Sequence, residues 1–293
     1  VNPAAGAIGI VGVGNMGGGM ARRLLDTGWA VRACDRVSEK VESLRRAGAE
    51  PVLTPAEAAA GARALIVCVV DAGQCEEVLF GPDGAAPALA PATPVLLCPT
   101  IAPRDAEALA SRLAASGALP IDAPMSGGPA RARDGSMSLM VACADEAFAA
   151  ASDLLAALSS KLFRVGTQPG DGAKTKLVNN LLAGINLVGA AEALALAQRL
   201  GLDLGRTLDV IEQSSGQSWI GSDRMRRAIA GDYEPRAHVT LLRKDTALAV
   251  EAAKHAGFDG PLGAAARDAF DEAARAGLAD LDDAALFRWI SRS

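Results

Sequence analysis

Ile8-Gly-Ile-Val-Gly12-Val-Gly14-Asn-Met-Gly17 leaves a short apolar run and enters a segment that reads as helix. Its glycines have the spacing G-x-G-x-x-G. Gly12 allows a tight turn, Gly14 lets backbone approach a pyrophosphate, and Gly17 lets the helix lie close on the strand. The helix N-terminus, with Asn15 and Met16 beside the glycines, offers N–H groups and a partial positive charge to phosphates.

By itself that spacing is a weak signal in a chain with 31 glycines. Its surroundings strengthen it. A helix is expected over Met16–Leu25, Gly28 ends it, and a second apolar run spans Ala30–Cys34. Asp35 closes that run about 20 residues after the loop, where an acid binds ribose hydroxyls. The stretch reads as a dinucleotide-binding βαβ unit. Asp35 favours NAD, because a carboxylate there repels a 2′-phosphate. The neighbouring Arg36 carries a guanidinium suited to that phosphate, so NADP remains open.

Outward from this unit, short apolar runs alternate with Ala-rich helical segments to about residue 165. The runs are Ala7–Val11, Val31–Cys34, Leu65–Val70, Val95–Cys98, Leu119–Asp122 and Ser138–Cys143. Strands alternating with helices imply a mostly parallel sheet covered on both faces. After the turn cluster at 166–172 the pattern is helical almost to the end. From Lys174 to Leu200 apolar residues recur at helical spacing on more than one side, as expected of a long buried helix. The expected architecture is an α/β Rossmann-type domain over 1–165 and an all-α domain over 166–293, joined by that long helix.

Composition narrows the function classes. The chain has 293 residues, half of them hydrophobic but only 3% aromatic, and a formal net charge of -5. No run of Lys or Arg is long enough to track a nucleic-acid backbone, so no nucleic-acid partner is expected. No segment has about 18 uninterrupted apolar residues, so no membrane span is expected. No signal peptide is read at the start, which with the cysteine usage implies a cytoplasmic protein. The five cysteines are odd in number and lack metal-ligand spacing, so they read as reduced core residues and no metal is expected.

Two later segments bring chemistry. In Asp122-Ala-Pro-Met-Ser126-Gly127-Gly128, a strand ends on a hydroxyl and two glycines whose N–H groups suit a carboxylate. In Gly170-Asp-Gly-Ala-Lys-Thr-Lys176-Leu-Val-Asn179-Asn180, Lys176 and Asn180 are i and i+4 and share one helix face. The positive end of that helix and the nearby Lys174 both disfavour an ammonium at Lys176, as a proton-transfer group needs. Six of the 29 basic residues are lysine, so a lysine here is a weak departure from the chain's preference for Arg.

With the glycine loop, these motifs resemble the β-hydroxyacid dehydrogenase family over nearly the whole chain, in order and spacing. That family includes 3-hydroxyisobutyrate dehydrogenase and, more distantly, 6-phosphogluconate dehydrogenase. The resemblance implies an NAD(P)-dependent hydride transfer on a small hydroxycarboxylic acid. It makes Lys176 the catalytic acid/base, Asn180 a substrate-orienting residue, and Ser126, Gly127 and Gly128 the carboxylate loop. It also places Val70, Thr100 and Lys244 against the cofactor. Pro99 stands where the family usually has Ser, which removes a hydroxyl beside Thr100. The resemblance further implies a homodimer or homotetramer built through the helical domain.

Several segments look closer to one subgroup, the dehydrogenases of L-threonate, a four-carbon sugar acid. They include Val69-Val-Asp-Ala-Gly-Gln74, Gly216-Gln-Ser-Trp219 and Gly231-Asp-Tyr233. A polyhydroxylated substrate needs extra polar donors, and Gln217, Ser218 and Arg224 are candidates. Two other readings stay in view. An imine reductase shares the fold but lacks the lysine, and a non-catalytic dinucleotide-binding protein would bind without turnover.

Overall fold

The computed structural model describes residues 6–292. Contacts divide the chain into two compact units, the first ending at Lys176 and the second beginning at Leu177.

The strands of the first unit are β1 (Ile8–Val11), β2 (Val31–Cys34), β3 (Glu50–Pro51), β4 (Ala64–Val67), β5 (Pro94–Leu97), β6 (Leu119–Asp122), β7 (Met125–Ser126), β8 (Ser138–Ala142) and β9 (Lys161–Gly166). Its helices are α1 (Asn15–Asp26), α2 (Ser38–Arg45), α3 (Pro55–Ala59), α4 (Ala72–Phe80), α5 (Pro103–Ala115), α6 (Gly128–Asp134) and α7 (Asp145–Leu158). The sheet order is β3-β2-β1-β4-β5-β6-β8-β7, with β9 beside β8. Pairing is parallel from β3 across to β6. β8 then runs antiparallel to both β6 and β7.

The apolar runs form strands because both faces of the sheet are covered. Every residue of β1, β4 and β5 is buried, the pattern of strands in a doubly covered parallel sheet. Alternate side chains enter different cores. Ile8, Ile10 and Ile66 pack in one cluster with Met20 and Leu24 of α1. Val11, Leu65 and Val67 pack in the other with Leu109 and Leu113 of α5. This is the period-two alternation of a pleated strand.

The sheet departs from the expected runs in two ways. The run Leu65–Val70 stops as strand at Val67. Beyond it Asp71 caps α4 by accepting the Gln74 N–H, and Gln74 Oε1 accepts the Val70 N–H. Three strands lie outside the apolar runs: β3, β7 and β9. β9 pairs with β8 alone and exposes Lys161, Phe163 and Arg164. An edge strand with charged residues lacks the buried apolar signature.

α8 (Asp171–Arg199) begins in the first unit and continues into the second, which also contains α9 (Leu204–Glu212), α10 (Trp219–Ile229), α11 (Val239–His255), α12 (Pro261–Ala273) and α13 (Leu286–Ile290). The first turn of α8 belongs with the sheet because Asp122, the last residue of β6, accepts backbone N–H groups there. By length and composition α8 passes as a membrane-crossing helix, with a mean hydropathy of 1.5. Its place in the second core accounts for part of that composition. Leu187, Ala191 and Leu194 are buried there with Leu208, Met225 and Phe270. Only 33% of the apolar window is buried, and Val178, Leu182 and Leu196 are exposed, so the helix expected to be buried is largely open in the single chain.

Four of the five cysteines are buried and Cys68 is half-buried, all as free thiols. Burial pushes the Cys34 thiol up to about 11, the behaviour of an inert core residue.

Candidate active site

The glycine loop joins β1 to α1. A Cβ on Gly17 would lie 2.0 Å from the Gly12 carbonyl oxygen, so the helix packs this closely only with glycine there. At Gly14 the nearest atom to an added Cβ is Lys40 Nζ, at 4.0 Å. The loop is therefore open at Gly14, where backbone has to meet a ligand. Gly14 is the N-cap of α1 without a capping side chain, and the first turn holds no acid. That helix end suits an anionic ligand.

Asp35 ties the loop to the end of β2. Its Oδ2 accepts the Val13 N–H at 2.8 Å and its Oδ1 accepts the Val37 N–H at 2.9 Å. A cavity of about 560 Å³ opens here, lined in part by Gly12, Gly14, Asp35, Arg36, Lys40 and Val70. Asn15, Met16 and Gly17 form the first turn of α1 rather than the lining. Thr100 is half-buried three residues beyond β5, outside this lining. A loop with these glycines, an uncapped helix end and cations at the rim fits a dinucleotide.

Lys40 was missed by the sequence reading. Its signal was its place four residues after Arg36, at the start of the helix that follows β2.

Ser126 ends β7, opposite Ser138 of β8. The chain then turns through Gly127 and Gly128, whose φ values of 131° and 75° lie in the left-handed region. All three residues are half-buried, so their polar groups stay within reach of a ligand.

Lys176 lies in the second turn of α8 with only 7% of its surface exposed. The helix end and the cation expected to act on it each face an anion. Lys174 Nζ pairs with Asp171 at 3.1 Å and with Glu107 at 3.4 Å. The positive end of α8 faces the Asp122 carboxylate.

In the second unit Asn180 is buried and donates from Nδ2 to Asp245 Oδ2 at 2.6 Å. Lys244 Nζ meets Asp245 Oδ1 at 2.7 Å. Asp245 thus joins the two residues of this unit that the sequence reading singled out. Only its place beside Lys244 pointed to it.

The expected polar donors near Trp219 are otherwise occupied. Arg224 Nε donates to Asp283 Oδ1 at 2.5 Å, and Arg224 also pairs with Asp223. Ser218 caps α10 by accepting the Gly221 N–H at 3.1 Å. Arg224 is therefore an internal ion-pair residue, and Gln217 is the donor left exposed.

Comparison with known proteins gives the family. Residues 7–166 match the family model described as the NAD binding domain of 6-phosphogluconate dehydrogenase. Residues 170–290 match the NAD-binding model of NADP-dependent 3-hydroxyisobutyrate dehydrogenase. The L-threonate dehydrogenase of Cupriavidus necator is 42% identical over 281 residues, 96% of this chain and 95% of that one. The 3-hydroxyisobutyrate dehydrogenase of Pseudomonas aeruginosa is 36% identical over 277 residues, 92% of each chain. A crystal structure of 3-hydroxyisobutyrate dehydrogenase from Salmonella typhimurium superposes with a TM-score of 0.91 at 36% identity, covering 97% of this chain and 99% of that one.

Proposed function

Because the chain belongs to the β-hydroxyacid dehydrogenase family and is an NAD(P)-dependent oxidoreductase of small hydroxycarboxylic acids, we propose that its substrate is a four-carbon sugar acid of the L-threonate type and that Lys176 is its acid/base. The substrate reading is supported by the identity with L-threonate dehydrogenases over nearly the full length of both chains. 3-Hydroxyisobutyrate and glycerate are the neighbouring candidates.

When bound, the nicotinamide takes or returns hydride at the carbon bearing the hydroxyl. Lys176 Nζ takes the hydroxyl proton in oxidation and gives it back in reduction. Asn180, one turn further along α8, hydrogen-bonds the substrate and orients it. Ser126 with the backbone of Gly127 and Gly128 holds the carboxylate. A proton-transfer group of this kind contributes about 10²–10⁴ in rate. The observation that carries the reading is the burial of both Lys176 and Asn180 on one helix, at 7% exposure each. A buried lysine is retained at a cost in desolvation, so it serves a purpose beyond solubility.

Residues 1–165 form the cofactor domain in this reading, with Gly12, Gly14 and Gly17 at the pyrophosphate and Asp35 at the ribose. Residues 166–293 form the helical domain, in which the family resemblance makes Lys244 a cofactor residue. NAD is preferred, and Arg36 leaves NADP accepted. The chain works in the cytoplasm as a homodimer or homotetramer. Val178, Leu182 and Leu196, exposed along α8, and Leu200 just beyond its end support association through that domain.

The test is a dehydrogenase screen of L-threonate, D-glycerate and 3-hydroxyisobutyrate with each cofactor, with a cyclic imine and NADPH as the contrasting assay. L-Threonate should give the highest kcat/KM. Turnover of the imine without turnover of any hydroxyacid would overturn the reading. Light scattering of the purified protein checks the oligomer, which a monomer would refute.

A further inference from the structure

Asp122 is a carboxylate buried in the first core, with 2% of its surface exposed. One of its oxygens, Oδ2, accepts the Gly170 N–H at 2.8 Å and the Ala173 N–H at 2.9 Å. The approach is too close for a side chain on the facing turn. A Cβ on Gly172 would lie 2.9 Å from both Asp122 Oδ2 and the Met140 carbonyl oxygen. This explains a glycine in Gly170-Asp-Gly172, which the dinucleotide loop does not need.

The position matters as much as the bonds. Asp122 ends β6, four residues before Ser126. Ala173 precedes Lys176 by three residues, on the same side of α8. One oxygen atom therefore connects the strand leading to the proposed carboxylate loop with the first turn of the helix that carries the proposed acid/base. We propose that Asp122 is a positioning residue that seats the first turn of α8, which leads directly into Lys176, on the strand leading to Ser126. The proposal rests on the reading of Lys176 given above.

The ionised carboxylate suits this task because it accepts several N–H groups and opposes the positive helix end. Burial pushes Asp122 up to about 6, against the hydrogen bonds from Ala173, Gly170 and Gly172, and Asp171 adds to the rise. Two other titratable groups face it, Cys98 beyond β5 and Cys143 beyond β8. Burial pushes both thiols up, so they remain neutral. Asp171 is itself paired with Lys174. Protonation of Asp122 near pH 6 removes the charge that holds the turn. Its folded-state value lies above the unfolded one, so the stability this group contributes is fully present at low pH. That stability is lost as pH rises through about 6. Loss of activity in acid would therefore not be loss of the fold.

The test compares wild type with Asp122→Asn, which keeps an oxygen acceptor but no charge, and Asp122→Ala, which keeps neither. Three readouts are taken: amide hydrogen exchange over residues 170–176, the pH profile of kcat, and cofactor affinity. Asp122→Asn should fold as well as wild type and bind cofactor equally. Its 170–176 amides should exchange faster, and kcat should fall by about tenfold to a hundredfold, the cost of misplacing a reacting group by about 1 Å. The acid limb of the kcat profile near pH 6 should disappear. Asp122→Ala should exchange faster still. Unchanged exchange in both variants, or an acid limb whose midpoint stays near pH 6 in Asp122→Asn, overturns the proposal. If wild type turns over no hydroxyacid, the functional reading fails, and the exchange measurement alone decides the role of Asp122.

Discussion

Asn180 and Asp245 meet at 2.6 Å although 65 residues separate them in sequence. The other oxygen of that carboxylate holds Lys244 at 2.7 Å, and Asn179 Nδ2 donates to Asn180 Oδ1 at 3.0 Å. The Asn180 amide is thus fixed at both ends, and a substrate hydroxyl that it accepts must displace or share the bond from Asn179. Asp245→Ala should lower kcat/KM for the hydroxyacid by about tenfold to a hundredfold, as loss of a supporting partner typically does. It also leaves a buried donor unmet, a cost of about 1–3 kcal/mol in stability. Steady-state kinetics with thermal melting check both. Unchanged kcat/KM would show that Asn180 needs no support.

Lys176→Ala should lower kcat by about 10²–10⁴ while cofactor affinity stays at the wild-type level. Stopped-flow turnover and cofactor titration separate the two quantities. Turnover like that of wild type would remove Lys176 from the chemistry.

Asp35→Ala should weaken NAD more than NADP. The variant loses the proposed ribose acceptor, and the Val13 and Val37 N–H groups lose theirs. A shift in the NAD/NADP preference of about tenfold, or 1.4 kcal/mol, is expected. Cofactor dissociation constants measured side by side check it, and equal losses for both would mean that Asp35 only shapes the loop.

Arg224→Ala should destabilise the second unit without changing which substrates are used. Asp283 has 1% of its side chain exposed beside Arg224. Burial pushes its carboxyl up to about 7 even with that guanidinium present. Removing one partner of a buried pair costs about 3–5 kcal/mol. The sign with pH follows from the raised value. The stability contributed by Asp283 is fully present below the unfolded value of 3.8 and is lost as pH rises through about 7. The variant should therefore melt closest to wild type in acid and furthest from it in alkali. A melting difference independent of pH would argue against an ionised Asp283.

Much of the first domain was legible because its signals are local. The run Ile8–Val11, the glycines that follow and Asp35 at the end of β2 lie within one βαβ unit, and the structure forms that unit where the spacing put it. The apolar runs of β4 and β5 were legible because strands covered on both faces carry little besides Val, Ile, Leu and Ala. β9 was not, since an edge strand with Lys161 and Arg164 on show looks like a loop. The helical character after residue 170 was plain from periodicity. The roles of single residues there were not, and Arg224 proved to be an internal ion-pair residue.

By itself the sequence determined the cofactor class, the six apolar runs that became β1, β2, β4, β5, β6 and β8, and the family motifs. These depend on residue spacing along one element or between neighbours in the chain. Only the tertiary structure decided which partners the buried carboxylates find. Asp122 meets Ala173 across 51 residues, and Asp245 meets Asn180 across 65. Neither pair leaves a periodic trace, because a buried acid finds its partners through the packing of distant elements. That packing selects N–H groups and cations for a desolvated carboxylate, and it set an anion against each charge expected to act on Lys176.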